Sequence, residues 1–118
     1  MNEPTEISIL GSKWTIHILS KSEDPILEGV NGYCDWTARK IVACSPRNDD
    51  GVYTLSASKA FTRQVLRREI VHAFLMECGL NENSNSSDAW ACNEEMIDWF
   101  AIMGDRIYSA WYEAEAAI

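Results

Sequence analysis

Up to about residue 44, apolar and polar residues alternate with a period of two; from Leu55 onward the period is that of a helix. Within 6–20, Trp14, Ile16 and Ile18 share one face of an extended chain, and Lys13, Thr15 and His17 share the other. Gly11-Ser12 marks a turn or a bulge, and Pro25 and Gly29 punctuate a loop. Segments 32–36 and 41–44 read as two short strands joined by a tight turn near 37–40, followed by a polar loop over 46–51. Phe61, Val65, Glu69, His72 and Met76 then fall on one helical stripe, with Ser56 or Ser58 as the cap and Gly79 as the left-handed residue past the end. The run 81–88 is polar and carries three serines, as a loop would.

A second helix is expected from Asn93, which suits a cap, with Glu94 and Glu95 in its first turn. Met96, Ile97, Phe100, Ile107, Tyr108 and Trp111 would form its apolar side, and Gly104-Asp105 would break or bend it. The pattern predicts an α+β domain: a small antiparallel sheet followed by two main helices, near 56–79 and 93–112.

Composition narrows the partners more than the fold. The chain of 118 residues is enough for one domain, 1–118, and too short for two. No stretch is long enough to span a bilayer, and Met1-Asn2-Glu3-Pro4 lacks the basic start and apolar core of a signal peptide. A cytoplasmic protein with no membrane partner is expected. Cys34, Cys44, Cys78 and Cys92 form no C-x-x-C pair and read as buried thiols. The formal net charge of -8 argues against direct nucleic-acid binding. It permits the opposite, an acidic inhibitor that stands in for nucleic acid on a basic groove of a host protein. Five tryptophans, at 14, 36, 90, 99 and 111, suit core and rim packing or a protein-binding patch. Glu77 and Glu95 read as solvated helix residues.

One short run changes the picture. Arg68-Glu69-Ile70-Val71-His72 fits the zinc-peptidase motif H-E-x-x-H except at its first position. Residues four apart on a helix stack on one face, so two imidazoles so spaced can reach one zinc ion while the glutamate acts as general base on its bound water. Downstream, Asn93-Glu94-Glu95-Met96-Ile97-Asp98 fits the N-E-x-x-x-D pattern of a third ligand and its supporting carboxylate.

Residues 66–80 together with 93–101 resemble the small ImmA/IrrE-type zincin-like proteins of phages and mobile elements, in particular a subgroup of short phage-type proteins. That subgroup's helix reads R-H-E-I-x-H-A-F-L-x-E-x-G-L and its later segment N-E-E-M-x-D-W-x-A. Here they read Arg67 to Leu80, RREIVHAFLMECGL, and Asn93 to Ala101, NEEMIDWFA. Gly32-Tyr33-x-Asp35 and Lys40-Ile41-x-Ala43 are similar to its hairpin. The resemblance implies a zincin-like fold, Glu69 as general base, His72 and Glu94 as metal ligands, and Asp98 beside the first ligand.

Arg68 departs from that pattern. A guanidinium carries no free lone pair for a metal and stays charged at every accessible pH. His72 and Glu94 alone fall short of the ligand count that zinc takes. The expectation is a degenerate, pseudoenzyme-like peptidase domain with an idle Glu69, no cofactor, and Arg68 paired with Asp98 or Glu94 where zinc would sit. It would act by binding an unknown protein partner. The alternatives are an active zinc metallopeptidase that recruits an unusual ligand, such as His17, Cys78 or Cys92, and the acidic mimic above.

Overall fold

The computed structural model describes residues 3–46, 55–80 and 94–117; within the second helix it does not describe the side chains of Glu94, Ile97, Asp98 and Ala101. Among these residues, four strands and two α-helices follow in order: β1 (Thr5–Ile9), β2 (Ser12–Leu19), β3 (Gly32–Asp35), β4 (Lys40–Cys44), α1 (Leu55–Glu77) and α2 (Glu94–Glu113). A 3-10 turn over Pro25–Glu28 sits between β2 and β3, its first amide taken by the Asp24 carboxylate. The α+β class and the sheet-then-helices order match the expectation from sequence. The loops at 46–51 and 81–88 and the Asn93 cap fall wholly or largely outside the described residues.

The sheet is mixed, which corrects the antiparallel expectation. Its order is β1-β2-β4-β3, with β1–β2 and β3–β4 antiparallel but β2 and β4 parallel. The stretch between β2 and β3 is long enough to carry the chain past one strand position. β3 therefore forms the sheet edge, and the turn at 36–39 folds β4 back into the gap between β3 and β2. Residue alternation cannot report that insertion, because it is blind to which strand lies next to which.

Two local signals place the turns. Ile9 pairs with Ser12, so the β1–β2 turn is Leu10-Gly11, and both carry positive φ (51° and 86°), the signature of a type I′ hairpin. Between β3 and β4, Asp35 Oδ1 accepts from the amide and hydroxyl of Thr37, and Arg39 takes φ 48°.

α1 lies on the sheet with Val65, Leu66, Ile70, Ala73 and Phe74 buried against Ile7, Ile9, Trp14, Ile16, Ile41 and Ala43. The buried stripe is thus rotated from the expected one: Val65 and Glu69 are buried as expected, but Phe61 is exposed, while Thr62, Leu66, Ile70, Ala73 and Phe74 are buried. Ser58 lies buried inside the helix rather than at its cap. The far end behaves as expected. Gly79 (φ 75°) and Leu80 donate to the carbonyls of Met76 and Leu75, closing a Schellman motif. α2 ends the same way, with Glu115 (φ 56°) in the glycine position and Ala116 donating to Trp111 O.

α2 runs unbroken through Gly104-Asp105, another departure from expectation. It buries Ile107 and Ala110 in the core, and it is tied to α1 by Trp111 Nε1 donating to Arg67 O (3.2 Å) and by Arg67 donating to Ala116 O (2.9 Å). Met96, Phe100 and Tyr108, assigned by sequence to its apolar side, are exposed. No helix among the described residues is long and apolar enough to cross a membrane.

Candidate functional site

Position 69 lies on the flank of α1 that faces β3. The cause is Gly32: a Cβ there would stand 2.5 Å from Val65 Cγ1, 2.9 Å from the Val42 carbonyl oxygen and 3.4 Å from Glu69 Cγ. Only a residue without a side chain lets the helix approach the strand this closely. One position pair along, the Cys34 thiol reaches Met76 Sδ at 3.8 Å. Gly32 and Cys34 thus line the strand side of a narrow seam, and Val65, Glu69 and Met76 line the helix side.

The strand's other groups face outward. Cys44 donates to Asn31 O at 2.8 Å, so in the antiparallel register Asn31, Tyr33 and Asp35 bond toward β4, and Gly32 and Cys34 turn their N–H and C=O to the outer edge. No described strand pairs with that edge.

Glu69 is buried, with 4% of its surface exposed. Burial pushes its carboxyl above the ordinary value of 4.5, and the charges of His72 and Arg68 offset this only in part. The Cys34 thiol is pushed up to about 12, first by burial and then by the Glu69 and Asp35 carboxylates. It is a packed, unreactive thiol. His72 is half-buried and Arg68 exposed.

Arg68, Glu69 and His72 therefore form one neighbourhood on α1, as their spacing implies. The partners expected from the second motif are a different matter. Glu94 and Asp98 lie in the first turns of α2, but their side chains, and so any pairing with Arg68, fall outside the described residues. Exposure of Arg68 already argues against a deeply buried ion pair there. Among the described residues no group of three His, Cys, Asp or Glu side chains could hold a metal ion. The donor chemistry does not fit zinc either: Arg68 supplies no lone pair, which leaves the set one ligand short.

The substitutes fare no better. His17 is half-buried on the strand face away from α1, opposite in parity to Trp14 and Ile16, with Thr15 Oγ1 at 3.1 Å. Burial and Lys40 lower its pKa. Cys78 follows the end of α1, and Cys92 lies outside the described residues.

Glu77 is the residue that sequence reading placed worst. Its side chain is 8% exposed rather than solvated. It accepts from Trp14 Nε1 (2.7 Å), from Arg39 Nε (2.8 Å) and, more weakly, from Ser12 Oγ (3.4 Å). Arg39 also lies over the Trp36 ring, 4.9 Å from its centroid. Gly32 carried a legible signal, since glycine inside a strand marks a close backbone approach; Glu77 carried none.

No family model, no curated protein and no solved structure matches this chain. The likeness to ImmA/IrrE-type proteins rests on the motif residues alone.

Proposed function

We propose that this chain is a peptidase-like domain of phage or mobile-element origin whose metal centre has been lost, and that it now holds an extended segment of another protein along the outer edge of β3. One observation carries the reading: the outward backbone groups of Gly32 and Cys34 run beside the flank of α1 that bears Glu69 and His72. A strand with unpaired N–H and C=O groups is a template for an incoming strand, which pairs through its main chain. The guest's alternate side chains would then fall over α1, near Arg68 and His72. In that setting Arg68 is a ready partner for an acidic side chain or a chain-terminal carboxylate.

Two measurements test it. Amide exchange in the free protein should be fast at Gly32 and Cys34 and slow at Tyr33. Equally slow exchange at all three would mean that the edge is covered, and the binding mode would fail. Elemental analysis should find no stoichiometric transition metal in the purified protein, whereas Arg68→His should gain zinc if Glu94 is placed as the resemblance implies. Stoichiometric zinc in the unaltered protein would favour the active-metallopeptidase reading instead.

A further inference from the structure

α2 carries a row of residues at four-residue spacing: Met96, Phe100, Gly104, Tyr108 and Tyr112. Its large side chains are open to solvent, with 41%, 47%, 53% and 71% of their surfaces exposed in that order. Gly104, at the centre, is half-buried, and among the described residues a Cβ there would meet only Phe100 Cδ1, at 4.0 Å. The row is symmetric about that glycine. An aromatic ring lies one step away on each side, and a further large side chain one step beyond.

We infer that this row is a contact between two copies of the chain, with α2 crossing α2 antiparallel at Gly104. A two-fold contact puts the same patch on both sides, so residues equally far from the axis on either side must complement each other. Here Phe100 of one copy meets Tyr108 of the other, and Met96 meets Tyr112. Rows at four-residue spacing are inclined to the helix axis, and two such rows interdigitate when the helices cross at about -50°. Glycine at the crossing point removes the side chains that would hold the backbones apart.

The area sets the strength. At ~200 Å² for a fully exposed large side chain, the row offers roughly 400 Å² per copy and 800 Å² for the pair. This lies below the ~1,000 Å² expected of a stable interface, in the range of transient association. The contact is therefore weak. Charge opposes it, since each copy carries a formal net charge of -8. Salt screens that repulsion, so the pair tightens as salt is added, whereas docking of a basic partner on the same face would loosen.

Sedimentation of the full chain over a concentration series, at low and high salt, tests this. The expected result is a monomer–dimer equilibrium shifted toward dimer by salt. Gly104→Leu should weaken it at least tenfold, because bulk at the crossing point blocks close approach while the monomer has room for it. Tyr108→Glu should do the same by placing a carboxylate against Phe100 of the other copy. Circular dichroism confirms that both variants keep the fold. A protein that stays monomeric at millimolar concentration overturns the inference, and so does a dimer that neither substitution affects.

Discussion

Glu69 and Glu77 sit little more than two turns apart on α1, each with little of its side chain exposed, and the fold treats them in opposite ways. At Glu77 burial alone would raise the carboxyl, but hydrogen bonds from Arg39 and Trp14 outweigh it and hold the group below its ordinary 4.5. At Glu69 burial wins, and the carboxyl stands above 4.5. The first group is a clasp that ties the end of α1 to the β1–β2 hairpin and the β3–β4 turn. The second is a charge held in a seam beside a strand edge that no described strand pairs, where burial disfavours its ionised form. A charge kept at a cost in stability points to function more readily than one that stabilises the fold.

The largest effect should come from filling the seam. Gly32→Ala places a Cβ against Val65 and the Val42 carbonyl, and it should destabilise by about 3 kcal/mol in chemical unfolding. A loss well under 1 kcal/mol would mean that α1 and β3 yield readily to the added methyl and that Glu69 is loosely confined.

Next comes the clasp. Glu77→Ala removes the acceptor for Trp14 and Arg39 and should cost about 2 kcal/mol, with Glu77→Gln recovering part of it through Trp14. Equal losses for the two variants would show that the hydrogen bond to Trp14 contributes nothing.

Glu69→Gln should act in the opposite direction, stabilising by about 1 kcal/mol at pH 8 by relieving a buried charge. The pH dependence separates the two carboxyls. Glu69 binds its proton more tightly in the folded state, so its contribution falls as pH rises above 4.5 through the folded-state pKa. Glu77 binds its proton less tightly when folded, so its contribution is present above 4.5 and is lost as pH falls below it. Melting temperature against pH should lose its decline above 4.5 in Glu69→Gln and lose part of its acid limb in Glu77→Gln. If both variants flatten the same limb, the contrast between the two sites is wrong.

The smallest effect belongs to Arg68. Its side chain is exposed, so Arg68→Ala should change stability by under about 1 kcal/mol. It should also raise the Glu69 carboxyl further, because Arg68 offsets burial there. Titration of Glu69 followed by NMR would register that shift even where unfolding registers nothing.

Much of the candidate site was legible in the chain because helix spacing is a local property. Arg68, Glu69 and His72 share one stretch of α1 for the same reason that any residues at that spacing do. The rotation of the helix about its axis was not legible. The expected stripe ran through Phe61, but packing buried Thr62 and exposed Phe61, because the sheet beneath has its own relief and Gly32 lets one flank sink. Glu77 was unreadable for a similar reason. Its partners Trp14 and Arg39 are distant in sequence, and nothing in its neighbours distinguishes it from a solvated helix carboxylate.

The sequence by itself determined the kinds of element, most of their ends and the turns. Alternation, helical period and the glycines at 11 and 79 are settled by backbone sterics and near-neighbour contacts. Tertiary structure decided which strand lies beside which, making β2 and β4 parallel, and which face of each helix is dry. It also decided which of two glutamates on one helix finds partners. Those outcomes depend on contacts between distant segments, whose energies are set only when the whole core packs at once.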